Sequence, residues 1–225
     1  MPTVDQARLW YPEPDPVHGF DHVLRVYYLA EKLADSEGAD LEIVHTAALL
    51  HDANGENAAC DQDPKKSSVE FKDKINRSSH HLDSAEFAAR ILQTEGWAED
   101  RIAAVQHCIR AHRFRETSEP PTSLEAKVLF DADKLDAIGA IGVARAIAYA
   151  VLSGQPIYMP TSASFLESGA LEIGEAHSAY HEYIHKLIGL KDCLFTPSGQ
   201  ALAEERHCVM VEFFERMVQE IQFEA

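Results

Sequence analysis

Ile43-Val44-His45-Thr46-Ala47-Ala48-Leu49-Leu50-His51-Asp52 is the stretch on which the reading of the chain turns. It favours a helix. Val44, Ala47, Ala48 and His51 recur at i, i+3, i+4 and i+7, which puts His51 on the buried stripe. An imidazole followed at once by a carboxylate, both delivered at the end of a core helix, can face a single point. Neutral imidazole and carboxylate oxygen are ligands for a divalent metal. A lone His-Asp pair on an apolar face is more often a satisfied core residue beside a surface charge. The question is therefore whether further donors stand at suitable places.

The surrounding composition bounds the answer. A chain of 225 residues, 46% hydrophobic and 25% charged, can bury a core. With 37 acidic against 20 basic residues the net charge is -17, which argues against a nucleic-acid duplex or an anionic membrane as partner. It leaves room for small phosphorylated ligands, because a metal or a local basic group overrides the global field. No apolar run approaches the ~20 residues of a membrane span. The first residues lack the basic and apolar regions of a signal peptide. Cys60, Cys108, Cys193 and Cys208 are scattered with no CxxC, so neither a disulfide framework nor a Cys-type zinc site is expected, and the cytoplasm is the default compartment. The twelve histidines are the unusual feature.

Outward from the central stretch, helical periodicity dominates. Residues 1–15 are Pro-rich and polar and read as an irregular lead-in. Asp15 and Pro16 read as the start of a helix over residues 17–36 whose inner face carries His22, Val26, Leu29 and Leu33, with Gly38 as its stop. Asp40 caps the helix that ends at His51-Asp52. Residues 53–79, with Lys65, Lys66, Lys72, Lys74 and Arg77, read as a long polar loop with one short helix near 69–75. His80-His81 opens a helix stopped by Gly96, and residues 98–112 form another. Thr122-Ser123-Leu124-Glu125 reads as a capping box for a helix carrying Asp131, Asp133 and Lys134. Gly139 and Gly142 suit close helix packing, residues 153–176 read as loop, and helices follow over 177–190 and 198–223. No stretch alternates like a strand. The expectation is an all-α single domain of about eight or nine helices, residues 1–225, with a core over 17–155 and the helices of 177–223 packed on it.

Three of these helices carry costly residues on their inner stripes: His22, then His51 with Asp52, then Asp133. An aspartate on an apolar stripe is expensive to bury unless it is paired or metal-bound. Two imidazoles and two carboxylates around a divalent ion would leave positions open for water and a phosphoryl oxygen.

The ordered set His22, His51-Asp52 and Asp133, the last within Asp131-Ala132-Asp133-Lys134-Leu135-Asp136, resembles the HD-domain superfamily of metal-dependent phosphohydrolases. The similarity extends to a bacterial subgroup of small HD hydrolases through residues 19–26, 47–52 and 131–145, and through the tail around His185-Lys186-Leu187 and Thr196-Pro197-Ser198-Gly199. That resemblance implies metal ligands at His22, His51, Asp52 and Asp133. Asp131 is the alternative to Asp133, or else a carboxylate behind the ligands or a charge on the helix surface. In two-metal relatives the extra ligands would fall on His80 and His112, with His81 competing for the first role and Arg113 standing where a second His would follow His112; the alternative is that His80, His81 and His112 contact a substrate phosphate or stand behind the ligands. With two ions, Asp52 would bridge them.

The implied activity is hydrolysis of a phosphate ester, a nucleotide or other small phosphorylated compound, by metal-activated water. His51, Asp52 and Lys134 are the expected catalytic residues. Lys134, Arg25 and Arg145 are candidate phosphate contacts, although each could instead be a surface charge or an ion-pair partner. The cofactor is one or two divalent ions, with Mg, Mn, Fe, Co, Ni and Zn not distinguished. A homo-oligomer is possible. The competing readings are a non-catalytic metal- or nucleotide-binding sensor on the same scaffold, and an iron-dependent oxygenase.

Overall fold

The computed structural model describes residues 1–11, 19–53, 80–114 and 119–223. Among them there are ten α-helices, one 3-10 helix and no strand, so the all-α expectation holds. The two short helices α1 (Val4–Arg8) and α8 (Ala163–Ser168) lie in regions read as irregular from the sequence. The chain parts into two compact units, Met1–Phe130 and the residues from Asp131 onward, and each is described by itself.

In the first unit the order is α1 (Val4–Arg8), α2 (Phe20–Glu37), α3 (Leu41–Leu50), α4 (His80–Thr94), α5 (Glu99–Ala111) and the first part of α6 (Leu124–Asp136). The central helix is α3, which packs against α1, α2, α4 and α5. Ile43, Val44, Thr46, Ala47, Ala48, Leu49 and Leu50 are all buried. A helix that is apolar on every side must be surrounded. Each of its buried large aliphatic side chains contributes about 1.5–3 kcal/mol by leaving water. The Asp40 carboxylate accepts from the N–H groups of Glu42 and Ile43, as a helix cap should.

Several sequence expectations need correction. The lead-in is not wholly irregular: Thr3 and Gln6 form a capping box that starts α1, and Ala7 is buried. The second helix begins after Gly19, not at Asp15-Pro16, which lie outside the described residues, as does the region 54–79. The box expected at Thr122-Glu125 does not form. The Ser123 hydroxyl takes the capping role by accepting from Ala126 N–H, while Thr122 approaches His107 and Glu125 accepts from Asp40 N–H.

The second unit holds the end of α6, then α7 (Gly139–Leu152), α8 (Ala163–Ser168), α9 (Ala179–His185), a 3-10 helix (Leu187–Cys193) and α10 (Pro197–Gln222). The 3-10 helix and α7 both pack against α10. Residues 153–176 are not all loop, because Ser162 caps α8. The helix expected over 177–190 stops at His185 and continues only as the 3-10 turn. Gly142 is required by close approach: a Cβ there would lie 2.2 Å from the Ala137 carbonyl oxygen.

Glu175 organises the connecting region of this unit. Its carboxylate accepts from Ser162 N–H and hydroxyl, from Glu172 N–H and from the His181 ring, each at 2.7–3.0 Å. The other ring nitrogen of His181 meets the Ser178 hydroxyl at 2.7 Å, and both residues are fully buried.

Candidate metal centre

Four helix ends in the first unit converge on Asp52. The first turn of α2 carries His22. The C-terminus of α3 delivers His51 and Asp52, α4 opens with His80, and α5 closes with His112. The Asp52 carboxylate oxygen Oδ2 lies 3.9 Å from His22 Nε2 and 3.6 Å from His51 Nε2. Its Oδ1 lies 3.0 Å from His80 Nε2 and 3.5 Å from His112 Nε2. His22, His51 and His112 are buried, while Asp52 and His80 keep partial exposure. Two triplets, His22-His51-Asp52 and Asp52-His80-His112, each have their ligand atoms within 4.8 Å of one another.

The local fold sets the imidazole tautomers. His51 Nδ1 lies 2.8 Å from the Ala48 carbonyl and His112 Nδ1 lies 2.5 Å from the Ile109 carbonyl, the same i to i-3 contact at two helix C-termini. A carbonyl only accepts, so each Nδ1 carries the proton and donates it. Each Nε2 is thereby turned towards the Asp52 carboxylate. In the neutral imidazoles the two Nε2 lone pairs repel the carboxylate, so the cluster calls for positive charge, supplied by a metal ion or by protons on the rings. The donor set therefore fits a divalent cation. Helix C-termini at α3 and α5 favour a cation as well, and the N-terminus of α4 favours the carboxylate.

Burial pushes the Asp52 carboxyl up, but His51, His112 and His80 outweigh it and hold the group well below the usual carboxylate range. The centre is held from behind. The Ser84 hydroxyl of α4 donates to the carbonyl of Ala53, the residue after Asp52, at 3.0 Å. The Tyr11 hydroxyl donates to the Leu49 carbonyl at 2.8 Å. Burial, then the Asp52 charge, push the Tyr11 phenol well above its ordinary range. Neither Tyr11 nor Ser84 was singled out from the sequence as a site residue; the Thr3-Gln6 box was the one available sign that the N-terminus is structured.

His80, not His81, faces Asp52. The His81 Nδ1 is buried with no hydrogen-bond partner among the described residues, and burial, then the neighbouring His112, His80 and Arg113, lower its pKa. Arg113 Nη1 lies against the His80 ring, 2.6 Å from Nδ1 and 3.4 Å from Nε2. Arg25 stands one helical turn beyond His22, half-buried.

The remaining expected site residues belong to the second unit. The Lys134 ammonium pairs with Asp133 at 2.7 Å, and Arg145 pairs with the buried Asp136 at 2.8 Å. Asp131 is not a surface charge. It is fully buried, and its carboxylate accepts from Phe195 N–H, Thr196 N–H and the Thr196 hydroxyl at 2.6–2.9 Å. Thr196 in turn caps α10.

A family model described as HD domain matches residues 19–138, which span every residue of this centre. The chain belongs to the HD domain family. It is 33% identical to the Bacillus subtilis protein YpgQ over 229 residues, covering 98% of this chain and 95% of that protein. Among solved structures, YpgQ in complex with ADP is 31% identical, with a TM-score of 0.68 and coverage of 97% of this chain and 98% of that one. An HD-superfamily hydrolase from Bacillus thuringiensis is 27% identical, with a TM-score of 0.62 and coverage of 90% and 86%. Membership of this family of hydrolases supports a metal-dependent phosphohydrolase in the general sense.

Proposed function

We propose that the chain hydrolyses a phosphate ester of a nucleotide, using a divalent cation held by His22, His51 and Asp52. The observation that carries this reading is the Asp52 carboxylate faced by four imidazoles, two of which donate Nδ1–H to a backbone carbonyl and turn Nε2 towards it. A cation bound there would act as a Lewis acid on a phosphoryl oxygen and lower the pKa of a coordinated water. Asp52 neutralises part of the ionic charge and orients the imidazoles around it. His112 offers a further Nε2 on the other carboxylate oxygen. Asp133 is retained as a ligand on the ordered motif alone, with Lys134 as the partner of its carboxylate.

The nucleotide preference draws support from the ADP held by YpgQ. Arg25, Lys134 and Arg145 remain phosphate contacts on the motif alone; in the structure Lys134 and Arg145 are engaged with Asp133 and Asp136.

The test is phosphate or pyrophosphate release from a nucleotide panel by purified protein, with and without added divalent ions. Release should require an ion, and His51→Ala should lower it by at least about a hundredfold, the scale of losing a ligand-level contact. Nucleotide-induced thermal stabilisation without any turnover would overturn the enzymatic reading in favour of a sensor.

A further inference from the structure

Two helices are apolar on nearly every side, and they are not covered alike. In α3 the residues Ile43, Val44, Ala47, Ala48, Leu49 and Leu50 are all buried. In α7, whose only charged residue is Arg145, Gly139, Gly142, Val143 and Ala150 are buried and the opposite face is not. That face consists of Ala140, Ile141, Ala144, Ala148, Val151 and Leu152. Ile141 is 42% exposed, and Val151 and Leu152 are each 56% exposed. At ~100° per residue the six fall within about 120° of one another, and none is polar. A helix that is apolar all round has to be surrounded. The face continues onto α10, which packs on α7. Arg206 of α10 lies against Gly139, where a Cβ would come 3.0 Å from the Arg206 Cβ. Val209 and Phe213 stand three and seven residues further on, hence on the same side of α10, and are 49% and 42% exposed.

We infer that a second copy of this chain docks on this face, with α7 of each protomer lying antiparallel to α7 of the other across a two-fold axis. A two-fold contact requires that residue i meet j while j meets i. The face of α7 is built that way, because its residues pair off at equal distances from position 146: Ala140 with Leu152, Ile141 with Val151, Ala144 with Ala148. The alanines let the two helix axes approach at the centre, and the larger side chains interlock at both ends. Charge favours the same occupant. Two chains of net charge -17 repel wherever their carboxylates meet, and α7 carries no carboxylate. A basic partner would be held by acidic residues, which this helix does not offer. Arg145 is engaged with Asp136 of its own chain at 2.8 Å. The outer face of a 14-residue helix, about 21 Å long and ~10 Å wide, falls short of the ~800 Å² that each partner gives to a stable interface. The Val209 and Phe213 stripe beside it widens the contact towards that size. The dimer is therefore a reversible one, with a dissociation constant on the order of micromolar.

The test is sedimentation equilibrium of the whole chain from about 1 to about 100 μM, a range that brackets a micromolar dissociation constant. The wild type should pass from monomer to dimer across it. Ala144→Glu puts a carboxylate beside the two-fold axis and should raise the dissociation constant at least about tenfold, with the far-UV circular dichroism unchanged because position 144 is exposed. Ala148→Lys should weaken the dimer in the same way. Mixed in equal amounts, the two variants should pair again, because position 144 of one copy lies on position 148 of the other. Ile141→Glu and Val151→Lys form a second such pair and replace the first if either alanine variant fails to fold. A wild type that stays monomeric up to the highest concentration overturns the inference. A dimer that none of these variants weakens overturns it as well, since the contact then lies elsewhere. Variants that weaken the dimer alone but do not pair on mixing overturn the antiparallel arrangement. A monomeric wild type that co-sediments with phosphatidylcholine vesicles gives the face to a lipid surface and overturns the second copy as its occupant.

Discussion

An imidazole has two nitrogens, and the bond made by one decides what the other can offer. That rule separates the histidines of the centre more sharply than distance does. His51 and His112 satisfy Nδ1 on the carbonyl three residues back, a contact available to any histidine that closes a buried helix. The same logic of unequal roles separates the aspartates. Asp52 gathers imidazoles, whereas Asp131 gathers the Phe195 and Thr196 donors. Asp131→Ala would leave three donors without their acceptor in a buried place, and should cost about 3 kcal/mol or more, read as a lowered denaturation midpoint in urea. An undiminished midpoint would show that the contact does not matter. The motif placed Asp131 and Asp133 together, but residues two apart on a helix differ by ~200° in direction, and only the packed structure shows where the first of them points.

At the scale of elements, Glu175 ties the N-terminus of α8 to His181 of α9. The Glu172 amide is the largest contributor in pulling its carboxyl down, His181 and Ser162 add to it, and together they take it from the ordinary 4.5 to about 2. A carboxyl depressed in the folded state adds stability that is fully present above its ordinary value and disappears as pH falls from about 4.5 towards about 2. Glu175→Gln should therefore melt at lower temperature than the wild type near neutrality, and the difference should shrink through that acidic window. A difference that stays constant down to the acid end would remove Glu175's ionisation from the account. In this region α8 escaped sequence reading because six residues are too few to show a period and its N-terminus is anchored by a carboxylate from further along the chain. The Thr3-Gln6 box of α1 is legible in the sequence, but the prolines that follow it point to an irregular segment.

At the scale of the whole molecule, a net charge of -17 surrounds a site built for a cation. Such a field concentrates divalent ions near the surface and is screened over ~10 Å at 0.1 M salt. Affinity for Mn2+ should fall severalfold between low and physiological ionic strength, as measured by calorimetric titration. An affinity indifferent to salt would mean that only the immediate ligands matter. No single helix among the described residues is long and apolar enough to cross a membrane.

The ordering of donors along the chain was settled by the amino-acid sequence alone, because a buried stripe at helical spacing leaves few places where a histidine or aspartate can sit, and it settled the all-helical class for the same reason. Tertiary structure alone decided that His80 and not His81 meets Asp52, that Arg113 lies against the His80 ring, and that Asp131 serves the cap of α10. Neighbouring residues on a helix point ~100° apart, and which of two adjacent side chains meets a partner from elsewhere in the chain depends on how the helices are rotated when they pack.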